Sequence, residues 1–218
     1  LGFKMCSDDS VSTDKSKDFG QKSVTDSVNE KKLQEARIAG LKTQKEDAIK
    51  TIKKLTPKFI KKVDEFRDVT FYTHKTFGRY YPNRKTLCAE VNSNGDLNLT
   101  SNYYSEDWLF HTKFILLVNG EKAESPTVET FSENNRTDNS GGEIWENVYY
   151  GTQNDSSVQN VLILLDTNKG KTAKIRFIGR EHYDDATLRQ SDVTAILESY
   201  YLAKAIKLLK DPEIILLK

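Results

Sequence analysis

Apolar residues are unevenly spaced along the 218-residue chain, and their pattern predicts three successive regions. The first, residues 1–26, has few large apolar side chains beyond its first residues and is predicted to be a disordered tether. Over 27–67, apolar residues recur at spacings of three, four, seven or eight, which predicts a basic helical arm. Pro57 must kink that arm or begin a second helix, because proline lacks an amide proton. The remainder, 68–218, reads as a globular body.

Within the body, alternating apolar runs separated by Gly and Asn turns predict a series of strands. These strands cover residues 69–74, 86–91, 96–104, 109–118, 127–131, 143–150 and 171–178. Asn94-Gly95 is a strong hairpin signal, and the polar run 132–142 is predicted to be a loop. Helices are expected over about 157–166 and 191–210, the second capped by Ser191, with 214–217 as a final strand or packed end. The predicted fold class is α+β: an antiparallel sheet body, with a sandwich as one arrangement, a C-terminal helix and a long N-terminal helical arm.

Composition supports the division between arm and body. All ten Tyr and both Trp lie after residue 67, whereas residues 31–67 carry twelve Lys or Arg against five acids. A basic stretch can bind nucleic acid, but here acids are interspersed and no Tyr or Trp interleaves to stack on bases. We therefore expect a solvated helix and no nucleic-acid partner. A phage- or nucleic-acid-associated accessory protein using the basic arm is kept as an alternative.

The first residues carry a recognisable pattern. In Leu1-Gly2-Phe3-Lys4-Met5-Cys6-Ser7-Asp8-Asp9, a largely apolar run ends at Cys6 and is followed by Ser and Asp. This segment resembles the processing junction of bacterial lipoproteins, most closely those of Bacteroidota. The resemblance implies a signal peptide, acylation of Cys6 and a lipid-anchored location in the cell envelope, exposed at the outer surface. A cytoplasmic protein with a chance cysteine is the alternative.

The body also resembles a recurring pattern in uncharacterised bacterial secreted proteins and lipoproteins, over about residues 69–210. The elements that carry the likeness are Trp108-Leu109-Phe110, Asn119-Gly120, Trp145-Glu146, the helix 157–166, Arg176-Phe177-Ile178-Gly179 and the helix 191–210. The resemblance implies a fold and a location rather than an activity.

Motifs for catalysis or metal binding are weak. Gly170-Lys171-Thr172 lacks the glycine that a phosphate-binding loop needs at position 165. The three histidines lack zinc-ligand spacing, so no metal or other cofactor is predicted. His182-Tyr183-Asp184-Asp185 is the densest polar cluster and is predicted to lie in a loop, where a carboxylate beside an imidazole could perform acid–base chemistry. A hydrolase using His182, Asp184 and Asp185 is one alternative, but the prediction is that the protein is not an enzyme.

Paired tyrosines are the most distinctive feature of the body, at 80–81, 103–104, 149–150 and 200–201. Adjacent strand residues face opposite sides of a sheet, so one member of each strand pair can meet solvent. Exposed Tyr and Trp are good anchors for protein or carbohydrate ligands. The candidate ligand-binding residues are Tyr103, Trp108, Trp145, Tyr149, His182 and Asp184. The hypothesis is a non-catalytic envelope lipoprotein whose head binds an unidentified protein or carbohydrate, in an oligomeric state that the sequence does not specify.

Overall fold

A computed structural model of the chain describes residues 19–78, 82–151 and 156–217, with side chains from residue 29 onwards. The chain divides into two compact units, residues 1–43 and 44–218. The first unit contains the beginning of helix α1, and the second contains the rest of the structure. The helices are α1 (Phe19–Leu55), α2 (Ser156–Thr167), α3 (Gln190–Leu209) and α4 (Pro212–Ile215).

In the described residues of the second unit, ten strands form two antiparallel sheets. They are β1 (Phe59–Asp64), β2 (Val69–His74), β3 (Thr86–Asn92), β4 (Leu97–Ser105), β5 (Lys113–Val118), β6 (Glu121–Glu124), β7 (Asn135–Ser140), β8 (Glu143–Gly151), β9 (Ala173–Ile178) and β10 (Tyr183–Thr187). A curled six-stranded sheet has the order β1-β2-β3-β4-β8-β7, and a four-stranded sheet has the order β10-β9-β5-β6. The predicted α+β class, with antiparallel sheets, a C-terminal helix and an N-terminal helix, is confirmed.

The main core is formed by one face of each sheet together with helices α2 and α3. Its fully buried side chains include Leu87, Leu99, Phe114, Phe177 and Ile196. In strand β8 of the six-stranded sheet, most buried residues alternate with more exposed ones, as expected when one face packs on a core, whereas residues 99–103 of β4 are all buried. We call the face that packs on the core the inner face and the opposite face the outer face.

The predicted tether and arm are both corrected by the structure. Residues 1–18 lie outside the described residues, but 19–26 belong to helix α1 rather than to a disordered segment. Once a helix is nucleated, each further residue adds a hydrogen bond at little cost, and no Pro or Gly interrupts the chain between 21 and 39. In the described part of the chain, no helix combines the length and apolar character needed to cross a membrane.

The arm does not stay helical to residue 67. Helix α1 ends at Leu55, a short 3₁₀ turn contains Pro57, and residues 59–64 form strand β1 of the six-stranded sheet. The hairpin from β1 to β2 is closed by Asp64, whose carboxylate accepts the backbone N–H groups of Phe66 and Arg67. A proline that removes a helical hydrogen bond, followed by a carboxylate suited to a turn, explains the switch to a strand.

In the body, most predicted elements are present with shifted ends. The predicted strand 109–118 contains strand only from Lys113, and 127–131 is not a strand, whereas Glu121–Glu124 is. The predicted loop 132–142 holds edge strand β7, which ends at a turn formed by Gly141 and Gly142. The cluster 182–185 was predicted to lie in a loop, but its residues 183–185 belong to β10. Helix α3 begins at Gln190 with Arg189 at its N-cap, not Ser191, and 212–215 form a short helix rather than a strand.

Candidate functional site

The outer face of the six-stranded sheet carries a groove that crosses every strand. It has a volume of about 1010 Å³, and each strand contributes at least one lining residue: Lys62, Phe71, Glu90, Asn98, Tyr149 and Arg136, in the order of the strands across the sheet. We call this cavity the outer groove. Its walls carry charges of both signs together with amide and aromatic groups, so it suits a polar ligand with several hydrogen-bonding groups better than an apolar one.

A second cavity adjoins the outer groove, and we call it the tryptophan pocket. It has a volume of about 470 Å³ and is lined by Asn83, Arg136, Thr137, Asp138, Ser140, Trp145, Asn147 and Tyr149. Arg136 and Tyr149 line both cavities. Each cavity is within the size range of small-molecule sites, and together they offer an extended surface.

The aromatic wall of the pocket is held in place by neighbouring side chains. The Trp145 indole Nε1–H donates to Asn83 Oδ1 at 3.2 Å, and its ring packs against Tyr104 at a centroid distance of 5.4 Å. The Tyr104 hydroxyl is in turn hydrogen-bonded to Glu143, which raises the pKa of that tyrosine. The Arg136 guanidinium lies 5.6 Å from the centre of the Tyr149 ring. The rings are thus positioned before any ligand arrives, which lowers the entropic cost of binding.

Between the two rings of strand β8 lies an amide with an unused acceptor. Asn147 is only 3% exposed, yet its Oδ1 has no hydrogen-bond partner among the described residues. Its cross-strand neighbour Asn102 donates twice from Nδ2, to the carbonyls of Pro82 and Arg84, but its Oδ1 is also unpaired within the same part of the chain. A buried unpaired acceptor costs about 1–3 kcal/mol, and each one in a folded protein calls for an explanation.

On the inner face of the same strands lies a fully buried polar relay of Ser101, His111 and Glu146. Ser101 Oγ is 2.8 Å from His111 Nε2, and His111 Nδ1 is 3.1 Å from Glu146 Oε2. The carboxylate also accepts three consecutive backbone N–H groups, those of Leu109, Phe110 and His111, at 2.7–2.8 Å. Burial alone raises the pKa of Glu146, but these hydrogen bonds outweigh it, so the pKa of the carboxyl lies below its ordinary value.

The relay has the order of a nucleophile, a base and an orienting acid, but not the access that catalysis needs. Ser101, His111 and Glu146 each have no exposed surface, and the Tyr150 hydroxyl lies 3.3 Å from Ser101 Oγ. The consecutive N–H groups that could stabilise an oxyanion are occupied by Glu146 itself. In this arrangement the relay acts structurally, by fixing the chain segment before β5 to the six-stranded sheet.

Of the residues predicted to bind a ligand, the structure brings Trp145 and Tyr149 together in the tryptophan pocket. Trp108 lies apart from them, 40% exposed and stacked on Phe110. The predicted pair Tyr80-Tyr81 and the lipidation residue Cys6 lie outside the described residues.

The other three candidate ligand-binding residues, Tyr103, His182 and Asp184, do not line the tryptophan pocket or the outer groove. Tyr103 is buried beside Phe177, and its hydroxyl donates to Asp184 at 3.3 Å. Asp184 also pairs with Lys85, whereas Asp185, its neighbour along β10, pairs with Arg176. Within the described residues, no hydrogen bond or ion pair joins the exposed His182 side chain to the carboxylate of Asp184 or Asp185.

Sequence reasoning missed Asn147 and the relay. A usable signal existed for Glu146, which shares the apolar phase of β8 with Ile144, Val148 and Tyr150. A charged residue on that phase must be buried with partners. The unused acceptor of Asn147 has no counterpart in the sequence, because it depends on what neighbouring strands fail to supply.

No protein-family model, curated protein or solved structure matches this chain.

Proposed function

We propose that this protein is a non-catalytic ligand-binding module of the cell envelope, tethered through lipid on Cys6. Its tryptophan pocket and outer groove receive a polyhydroxylated chain, that is, a carbohydrate. The observation that carries the proposal is the unpaired, buried Oδ1 of Asn147, placed between Trp145 and Tyr149. Asn147 lines the pocket, but its Oδ1 has almost no accessible surface, so a ligand hydroxyl would pair with this acceptor once the Asn147 side chain rotates toward the cavity.

Carbohydrate fits the lining better than other small ligands. A sugar ring offers an apolar face to Trp145 or Tyr149 and hydroxyl donors to Asn147 and Asp138, while Arg136 can donate to its oxygens. The continuity of the pocket with the outer groove suits several sugar units in a row. The hydrolase alternative has less support, because Asp184 and Asp185 are each paired with a cation and neither contacts His182.

Binding can be tested with a panel of soluble oligosaccharides of bacterial and plant origin, followed by calorimetry and tryptophan fluorescence. We expect at least one to bind saturably to the wild type, and Trp145→Ala and Asn147→Leu to abolish binding. The matched control is Trp108→Ala, which removes the other tryptophan, outside the pocket, and should leave affinity unchanged. A panel in which no sugar binds, or variants of the pocket that bind like the wild type, would overturn the carbohydrate proposal.

The anchor is tested separately. Acyl chains provide membrane affinity that a polar arm does not. The gene with its upstream coding sequence should yield a membrane-associated protein whose intact mass includes acylation, and Cys6→Ala should abolish both. An unmodified product that stays in the cytosol would reject the envelope location while leaving the pocket proposal standing.

A further inference from the structure

A second aromatic surface lies apart from the tryptophan pocket. The rings of Trp108 and Phe110 are nearly parallel, with centroids 5.2 Å apart, and the Phe131 ring lies 5.9 Å from that of Phe110. Phe131 is 71% exposed, and Trp108 is also substantially exposed. We call these three residues the aromatic patch. Clustered exposed rings of this kind mark interaction surfaces more often than isolated exposed ones do.

The backbone holds the patch in place at a cost. Phe110 and Phe131 have φ angles of 53° and 62°, in the left-handed region that side chains with a Cβ rarely adopt. Phe110 is fixed there because Glu146 binds its N–H and those of both neighbours. At Phe131, the turn is closed by Ser132, whose hydroxyl and N–H both donate to the carbonyl of Glu129. Such strain persists only where the surrounding structure enforces it.

Acidic residues flank the patch along both chain segments that form it. Glu106 and Asp107 immediately precede Trp108, and Glu129 and Glu133 lie two residues to either side of Phe131. All four are exposed, and none forms an ion pair within the described ranges. Aromatic faces attract cations, Trp most strongly, and unpaired carboxylates around them add to the same preference.

We propose that the aromatic patch binds a lysine-rich segment of a partner protein, with ammonium groups over the Trp108 and Phe131 rings and further lysines beside the flanking carboxylates. Charge complementarity selects this occupant, because an acidic peptide or an anionic lipid surface would be repelled by the same four carboxylates. The three residues of the aromatic patch line neither cavity of the carbohydrate proposal, although the flanking Glu133 also lines the outer groove.

The test uses the whole protein and a fluorescent ten-residue oligolysine peptide, with an oligoglutamate peptide and a neutral Gly/Ser peptide as comparisons. Affinity is measured by anisotropy at two salt concentrations. We expect oligolysine alone to bind, with affinity falling as salt rises. Phe131→Ser and Trp108→Ala should each weaken binding by roughly two- to fivefold, the value of an exposed cation–π contact.

Trp145→Ala is the control and should bind oligolysine like the wild type. Because Phe131 is largely exposed, Phe131→Ser should fold normally, which its thermal unfolding curve verifies. Equal affinity of Phe131→Ser and wild type would overturn the proposal, since binding would then be a general charge effect. Concentration-dependent self-association that Trp108→Ala abolishes, without oligolysine binding, would assign the patch to a second copy of the chain and overturn it equally.

Discussion

Replacing Glu146 by Gln is the sharpest perturbation of the folded structure. The side chain keeps its size, but one carboxylate oxygen becomes an NH₂ group. Oε1 accepts the N–H groups of Leu109 and Phe110, and Oε2 accepts the N–H and Nδ1 of His111. Whichever oxygen is replaced, the side chain loses two of the hydrogen bonds that it accepts. The new NH₂ group, itself a donor, then faces at least one backbone N–H group.

The magnitude follows from the loss of hydrogen bonds to a buried charge. Each such bond contributes about 1.5–3 kcal/mol, and the substitution removes two of them. We therefore expect Glu146→Gln to lower the free energy of unfolding by about 3–5 kcal/mol, measured by urea denaturation followed by circular dichroism.

The control is Glu124→Gln, which removes the acceptor of an exposed ion pair with Lys113. Exposed pairs contribute about 0–1 kcal/mol, so this variant should stay close to the wild type. A Glu146→Gln cost of less than about 1 kcal/mol, equal to that of the control, would refute the view that this carboxylate holds the segment before β5 in place.

Three further outcomes are expected. Because the pKa of Glu146 in the folded protein is depressed, ionised Glu146 stabilises the fold above the ordinary carboxyl pKa, and this stabilisation is lost as pH falls through the folded pKa. The urea midpoints of the wild type and Glu146→Gln should therefore converge in acid. A difference between the midpoints that stays constant with pH would contradict this. The surroundings of the partly buried Cys88 raise the pKa of its thiol to about 12, so in a Cys6→Ser background it should react with iodoacetamide at pH 8 much more slowly before unfolding than after it. Rapid labelling of the folded protein would contradict the raised pKa. Gly95→Ala should lower the free energy of unfolding by about 2–4 kcal/mol, because an added Cβ would lie 2.7 Å from the Lys207 backbone nitrogen. Gly120 has a similar φ but open space around it, so Gly120→Ala should cost about 1–2 kcal/mol. Thermal unfolding compares the two variants, and equal costs would argue against the close contact at Gly95.

Local signals were enough to predict the elements whose sequence and surroundings agree. Asn94-Gly95 predicted the β3–β4 hairpin, and the alternation of 143–150 predicted β8. Both succeed because turn chemistry and a half-buried face are written within a few neighbouring residues.

Where the sequence misled, a distant partner decided the structure. Strand β7 is polar because it is an edge strand, so its residues gave no apolar alternation. Residues 109–112 read as a strand, but the N–H groups of 109–111 bind Glu146, 35–37 residues further along the chain. Strand β1 was assigned to a helix because Phe59 and Val63 fit both a helical and an extended spacing.

The candidate site was predictable only in part. Trp145 and Tyr149 were identified because they are aromatic residues on the exposed phase of a strand. Asn147 was not, since an asparagine between them gives no indication of whether its amide is paired. That information exists only once β4, β7 and β8 are assembled.

We propose that Asn147 is kept for a ligand rather than for the fold. The most direct measurement is the free energy of unfolding of Asn147→Leu, which has the same number of side-chain heavy atoms, compared with Asn135→Leu. Asn135 is equally buried, but its amide donates to the His111 carbonyl at 3.1 Å. We predict that Asn147→Leu is as stable as the wild type or more stable by about 1–2 kcal/mol, because an unpaired acceptor is removed, while Asn135→Leu is destabilised. A loss of more than about 2 kcal/mol in Asn147→Leu would contradict the account, because the amide would then be a structural element.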